Sequence, residues 1–313
     1  MAVTMLGGFW PHVTAEAAHT LLTAEPSRRL LCCASLDEAL AAPDGTVVVL
    51  PEDCEPDEVR TAWEPRANAP SVTTVVPADL VLDGLTSESA IGDLVARQIE
   101  QADSVLLTGR REGDDEWETE QIRVLLRRIA PWAGHGVPIT AGRAEPLSPV
   151  TRGLRGHAVG VHEPVPDHGV VSCVFHARRP FHPGRLHDAL DDVTENVLRS
   201  RGHFWLATRP DLAMTWESAG ELSLGPVSGW LDALPLDQWS DVDTERRLAA
   251  EIDWDPYYGD RHHHLAFIGI DLDPVHIHRV LSRCLLTDYE LADGEEAWRR
   301  LPDPFQRPPT RKG

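Results

Sequence analysis

SVTTVVPADLVLDGLTSESAIGDLVARQIEQADSVLL, residues 71–107, is the stretch on which the fold class turns. Ser71–Val76 is almost unbroken in apolar and β-branched residues, the pattern of a strand covered on both faces, as in parallel sheets. Glu88–Gln101 has the spacing of a helix, and Ser104–Leu107 reads as the next buried strand. The same alternation extends outward. Ala2–Leu6, Arg29–Ala34, Thr46–Leu50 and Val137–Thr140 are further strand candidates, and Thr14–Leu22, Asp57–Trp63 and Glu118–Ile129 are further helices. In the last, Ile122, Leu125, Leu126 and Ile129 recur at i, i+3, i+4, i+7, one apolar face. Strands alternating with helices predict a doubly wound α/β domain over 1–142.

Residues 143–168 are rich in Gly, Pro and polar residues without a sustained period and read as a linker. Beyond it the pattern changes to α+β over 169–298. Val170–Ala177 is a strand with Val171, Cys173 and Phe175 on one side. Pro183 opens a helix whose face is Leu186, Leu190, Val193 and Val197, with Gly202 as its stop. Strands are predicted over His203–Ala207, Ala213–Ser218, Glu221–Val227 and His264–Ile270. A second helix follows, with Asp273 as N-cap, Pro274 at its first position and Ile277, Val280, Leu281, Cys284 and Leu285 facing inward. Runs of strands between helices suggest an antiparallel sheet. Residues 299–313 form a Pro- and Arg-rich tail of disordered composition.

The totals exclude several classes. Of 29 basic residues in this chain of 313, the only lysine is Lys312, in the polar tail. A G-x-x-x-x-G-K-[ST] loop needs a lysine after its glycines to reach phosphate, so no standard phosphate loop can be built here. A Schiff-base lysine, which must be partly buried, is excluded on the same count. A net charge of −21 argues against nucleic-acid binding through the whole surface and points to cations or basic partners. Five cysteines in a chain of this length make no disulfide framework. No apolar run is long enough to span a membrane, and the opening MAVTMLGGFW has no basic leader. The expectation is a cytoplasmic protein with reduced thiols and no sequence-specific contact to nucleic acid.

Residues 177–185 (ARRPFHPGR), 198–202 (LRSRG), 205–207 (WLA), Gly259-Asp-Arg261, Phe267-Ile-Gly269 and 284–288 (CLLTD) form an ordered set. Together they resemble the C-terminal domain of the CobW family. Trp216-Glu-Ser-Ala-Gly220 and Asp303-Pro-Phe305 are similar to the actinobacterial branch called the ribosome hibernation factor-recruiting GTPase, a CobW relative linked to zinc limitation. The N-terminal half resembles the GTPase domain of the same family, so the resemblance implies a P-loop GTPase-like parallel sheet. Residues 3–9 (VTMLGGF) match the strand that leads into the family's G-A-G-K-T loop. Laid on without gaps, that loop becomes Pro11, His12, Val13, Thr14 and Ala15. The glycines and the lysine are gone, and Ala15 stands where a hydroxyl would hold Mg²⁺. Pro77 replaces the Asp of the Walker-B-like strand, and the guanine-reading motif becomes Thr108-Gly-Arg-Arg-Glu112. GTP is therefore not an expected cofactor.

The family's C-x-C-C zinc motif has only Cys32-Cys33 as its counterpart. Neighbours on a strand point to opposite faces, so they read as core cysteines, with Cys54 a surface thiol in a Pro- and Glu-rich loop. Histidine is the better metal signal. His262 and His264 share one face at strand period and offer two imidazoles for zinc, with Asp260 as the nearby carboxylate. His276 and His278, two apart on a helix, do not face each other. His162 and His168 fall in the linker, and His176, His182 and His187 surround the Pro-Phe-His-Pro turn. Glu112–Glu120 holds six carboxylates in nine residues, suited to a helix start or to a basic partner. Arg178, Arg179, Phe181, His182, Arg185, Arg199 and Arg201 form a candidate partner-binding set, with internal pairing to Asp188, Asp191, Asp192 and Glu195 as its alternative. No nucleophile elbow is present, and no catalytic residue is assigned.

The resemblance implies a non-hydrolysing CobW-like protein that binds a protein partner, a ribosome hibernation factor or the ribosome, under zinc limitation. A zinc-binding metallochaperone and an atypical GTPase are the other readings.

Overall fold

The computed structural model of the protein describes residues 3–63, 70–87, 90–109, 116–136 and 161–305. The chain divides into two compact units, each built on its own six-stranded sheet.

The first sheet comprises β1 (Thr4–Gly7), β2 (Arg29–Cys32), β3 (Thr46–Val49), β4 (Val72–Pro77), β5 (Ser104–Thr108) and β6 (Gly134–His135). Its order is β2-β3-β1-β4-β5-β6, and every pairing is parallel. The helices are α1 (Pro11–Ala24), α2 (Leu36–Leu40), α3 (Pro56–Trp63), α4 (Val81–Leu85), α5 (Ala90–Glu100) and α6 (Glu116–Ile129). The alternation within each strand explains why helices cover both faces. Met5, Val48 and Val72 pack with Ala39 of α2 and Val59 of α3. Leu6, Val47, Val49 and Val75 pack with Ala17 and Ala18 of α1. The doubly wound α/β reading is what the chain adopts. The short α2 and α4 had no sequence period long enough to announce them. The strand expected over Val137–Thr140 lies outside the described residues, and β6 precedes it. Glu116 and Glu118 open α6, where the helix dipole favours negative charge; residues 112–115 of the acidic run lie outside the described residues.

The second sheet comprises β7 (Glu163–Asp167), β8 (Val170–Ala177), β9 (Val197–Phe204), β10 (Leu212–Ala219), β11 (Glu221–Gly229) and β12 (His263–Ile270), in the order β11-β10-β9-β12-β8-β7. β12 runs antiparallel between β8 and β9. The helices are α7 (Pro183–Asp188), α8 (Leu190–Thr194), α9 (Thr244–Ile252), α10 (Pro274–Cys284), α11 (Asp288–Ala292) and α12 (Glu295–Trp298). One sheet face, with Val171, Cys173, Phe175, Phe204, Trp216, Leu265 and Phe267, packs on Leu186, Val193, Ile277, Val280 and Leu281. Asp273 caps α10 as expected, accepting from the backbone N–H groups of Val275 and His276. Among the described residues no helix is long and apolar enough to cross a membrane.

Three expectations for this unit are corrected. The helix opened by Pro183 does not run to Gly202. It breaks at Ala189 and ends at Thr194, Asn196 turns the chain at φ 59°, and Val197 starts β9. Pairing with β12 overrides the helical period. Gly202 is a strand residue at φ 146°, and a Cβ there would meet the His264 carbonyl oxygen at 2.0 Å. Glycine thus lets β9 lie close against β12. The linker contains β7, whose described residues pair with β8; residues 143–160 lie outside the described residues. The tail is packed as far as Phe305. Asp303 accepts from Thr208 Oγ1 at 2.7 Å and Arg209 Nε at 3.0 Å, and Phe305 lies against the core. Residues 306–313 lie outside the described residues.

Candidate metal centre

The sheet face of the second unit opposite α7, α8 and α10 carries a cluster of imidazoles. In the ladder, His264 of β12 stands directly opposite His176 of β8 on one side and His203 of β9 on the other. Directly paired residues point to the same face, so the three form a row across the sheet. His262, two residues before His264, joins them. Its ring centre lies 4.4 Å from that of His203, 5.5 Å from His176 and 6.3 Å from His264. The His264 ring is 6.0 Å from His176 and 6.1 Å from His203. Trp230 packs on His203 and His262.

The carboxylate at this cluster belongs to Asp253, on the segment that follows α9. Its Oδ2 lies 3.9 Å from His176 Nε2 and 3.7 Å from His262 Nδ1. Arg178 donates to Asp253 Oδ1 at 2.7 Å and to the Asp253 backbone oxygen at 2.5 Å, which fixes the segment against the end of β8. His176, Asp253 and His262 each offer a ligand atom, all within 4.8 Å of one another. Burial pushes His262 and His203 below the usual imidazole range, His203 far below it, and holds His264 at about 4. Imidazoles that stay neutral keep a lone pair for a metal. The nitrogen-and-carboxylate set suits zinc and other borderline divalent ions rather than magnesium or calcium.

Of the three residues expected to hold zinc, His262 and His264 lie on this face. Asp260 is corrected: it is buried, and its two oxygens accept from the backbone N–H groups of Leu231 at 2.7 Å and Asp232 at 3.0 Å, so it pins the 231–232 turn. His263 points the other way. It stacks on Phe181 at 3.9 Å, donates from Nε2 to the Arg179 carbonyl at 2.6 Å and accepts from Trp205 N–H, and burial lowers it to about 3. His176, His203 and Asp253 went unassigned in the sequence because they are distant along the chain, and only strand register brings them together.

The candidate partner-binding set is engaged within the fold. Phe181 is fully buried, and His182 caps α7 through its Nδ1. Arg178 is spent on Asp253, Arg179 pairs with Asp288, and Arg185 grips Glu290 with two nitrogens at 2.8 Å. Arg199 is buried against Glu217 at 2.5 Å. Arg201 has a partner within the fold as well. The pairing is internal, as the alternative had it, and the acids that hold Arg178, Arg179, Arg185 and Arg199 are Asp253, Asp288, Glu290 and Glu217.

In the first unit the residues laid on the phosphate loop are helical. β1 ends at Gly7 and α1 begins at Pro11, leaving only Gly8–Trp10 between them. A Cβ on Gly8 would meet the Val75 carbonyl oxygen at 2.6 Å. Thr14, in the place of the lysine, is buried and donates its hydroxyl to the Trp10 carbonyl at 3.1 Å. Pro11 and His12 are exposed on the first turn, beside Val13 and Ala15. Pro77 and Thr108 are paired at the ends of β4 and β5. The cysteines reverse the expected exposure: Cys32 is exposed and Cys54 is buried. Burial pushes Cys33 up to about 11 and Cys54 to about 12, so both remain thiols.

Residues 170–285 match the family described as the cobalamin synthesis protein cobW C-terminal domain. This region is a CobW C-terminal domain. A protein of Mycobacterium tuberculosis named a zinc chaperone is 35% identical to the chain over 252 residues, covering 74% of this chain and 58% of that protein. A Dictyostelium discoideum protein named zinc-regulated GTPase metalloprotein activator 1 is 34% identical over 153 residues, 47% of this chain and 32% of its own length. The chain thus spans little more than half of the first relative and a third of the second. A zinc(II)-bound YjiA GTPase from E. coli aligns over 91% of this chain and 99% of its own, at 15% identity and a TM-score of 0.36. The imidazole face is built by β8, β9 and β12, all inside the CobW C-terminal domain.

Proposed function

We propose that this chain is a cytoplasmic zinc-handling protein of the CobW type that holds the ion on its second sheet and does not hydrolyse nucleotide. The observation that carries the reading is the convergence of His176, His262 and Asp253 ligand atoms within 4.8 Å of one another. The names of the mycobacterial and Dictyostelium relatives support zinc as the ion. The helical start at Pro11 and the buried Thr14 support the absence of hydrolysis, since backbone N–H groups in an open glycine loop are what cradles phosphate. Zinc analysis after exhaustive dialysis tests the metal half: about one ion per chain is expected, and a His176→Gln/His262→Gln double variant loses more than about 100-fold in affinity. Unchanged zinc in that variant would remove the assignment. Calorimetry with Mg-GTP tests the other half, and micromolar binding or any turnover would overturn it.

A second reading is recruitment of a partner such as a ribosome hibernation factor, which the resemblance implies. The observation in its favour is apolar exposure around the metal-side segment: Leu236, Ile252 and Tyr257 are 80%, 65% and 67% exposed. Co-sedimentation of the chain with ribosomes or with such a factor, reduced by Leu236→Asp and Ile252→Asp, is the expected result. Absence from both would end this reading.

A further inference from the structure

The three-residue site does not account for His203 or His264, and the hydrogen bonding of His262 says where the ion belongs. His262 Nδ1 lies 2.9 Å from the Asp260 backbone oxygen, and its Nε2 lies 2.9 Å from His203 Nε2. A carbonyl only accepts, so Nδ1 carries the proton, and the lone pair of His262 sits on Nε2, aimed at His203 rather than at Asp253. A backbone carbonyl fixing one imidazole nitrogen so that the other can ligate is the usual support of a metal-bound histidine. The His203 ring packs against Trp230, with its Nε2 facing that of His262.

We propose that the resting place of the ion is the ring formed by His176, His203, His262 and His264, and that Asp253 is the ligand through which it enters. This rests on the zinc reading above. Four imidazoles around a tetrahedral ion at Zn–N distances of about 2.0–2.1 Å have ring centres about 5 Å apart. The ring centres in this cluster lie 4.4, 5.5, 6.0, 6.1 and 6.3 Å apart, so an ion would draw the rings inward by about 1 Å through side-chain rotation about χ1 and χ2. Three of the four rings stand on paired strands, which gives the rigidity a closed four-ligand site needs. Exposure falls across the ring. The side chains of His176 and Asp253 are 49% and 45% exposed, that of His262 only 17%. An ion arriving from water therefore meets the carboxylate and His176 first. Arg178 holds Asp253 at the rim through Oδ1 and prevents it from following the ion inward. Four imidazole ligands and no thiolate make a site that carries a divalent ion and releases it, and leave no open position for catalysis.

Cobalt(II) titration of the full chain tests the ring, with zinc affinity read by competition against a chromophoric chelator. The wild-type chain should give the intense visible absorption of tetrahedral cobalt. His203→Gln and His264→Gln should each remove that spectrum and weaken zinc by about tenfold or more. Asp253→Asn should leave the equilibrium affinity within about threefold and slow capture in stopped flow. Circular dichroism checks folding, and His203→Asn and His264→Asn replace any glutamine variant that fails to fold. If His203→Gln and His264→Gln keep wild-type affinity and spectrum while His176→Gln and Asp253→Asn lose both, the ion sits on the three-residue site; the ring is then wrong and the zinc reading stands. Loss in Asp253→Asn as large as in His203→Gln would make the carboxylate a permanent ligand and overturn its entry role. No binding of cobalt or zinc at all would overturn both proposals.

Discussion

The Gly8–Thr14 turn of the first unit and the histidine face of the second are opposite outcomes at the ends of strands. At the first, Thr14, in the place of the lysine, is turned inward. Pro11 starts the helix at once, Thr14 satisfies itself on Trp10, and the nearby cysteines are held as thiols. At the second, four imidazoles are packed together, and burial lowers three of them, His203, His262 and His264. A buried polar group is tolerated when it is satisfied. In the first region Thr14 is satisfied by the backbone, and in the second His203 and His262 share a hydrogen bond with each other. The contrast teaches that one chain can spend its polar groups on backbone partners in one sheet and gather imidazoles on one face of another.

The largest expected effect that sharpens this contrast is on acid stability. His263 and His264 fall to about 3 and about 4 in the folded chain, and His203 and His262 are lowered too. The unfolded chain binds protons at these sites near pH 6.5, so it holds more protons than the folded chain in the window below that value. Stability is therefore full above about pH 6.5 and declines as pH falls toward 4 and 3, by up to about 4 kcal/mol for the fully buried His263. Urea midpoints of the metal-free protein across this range check it; a flat profile would mean the imidazoles are protonated in the fold. Next in size, Gly202→Ala should cost about 3 kcal/mol, because its Cβ would strike the His264 carbonyl and separate the two strands that carry His203 and His264. Equilibrium denaturation reads the cost, and the variant should lose zinc binding with it. Asp260→Asn should cost about 2 kcal/mol by weakening the acceptors of Leu231 and Asp232 while zinc stoichiometry stays unchanged, which separates the structural carboxylate from the one at the metal. The smallest effect is expected where a nucleotide site is rebuilt by sequence alone. Val13→Gly/Thr14→Lys/Ala15→Thr should gain no measurable Mg-GTP binding, because helix α1 already occupies the loop; clear binding in calorimetry would break the contrast.

Much of this was legible in the residues. Runs such as Thr46–Val49 and Val72–Pro77 are apolar on both sides and become strands with helices on both faces. Pro11 reads as a first helical position and opens α1. Asp273-Pro274 announced α10, and the spacing of His262 and His264 placed two imidazoles on one face. The errors share one cause. Val197 continues a helical period but pairs as a strand, Asp303 and Phe305 sit in a tail-like composition but pack, and the guanidinium groups that looked available for a partner are held by Asp253, Asp288, Glu290 and Glu217. In each case a contact distant along the chain outweighs the local pattern.

Local periodicity and residue chemistry were enough to determine the class of each unit, the absence of a G-x-x-x-x-G-K-[ST] sequence and the placing of two histidines on one strand face. The sequence carries those because strand and helix periods, glycine's freedom and the need for a lysine are properties of neighbours along the chain. Which histidines meet, and which carboxylate joins them, was decided by the tertiary structure. His176, His203 and His264 come together through the register of three antiparallel strands, and Asp253 through one arginine on the end of a fourth segment's partner strand, β8. Register is set by the packing of the opposite face, where Phe175, Phe204 and Leu265 interlock; a slip of one residue would send every imidazole into the core.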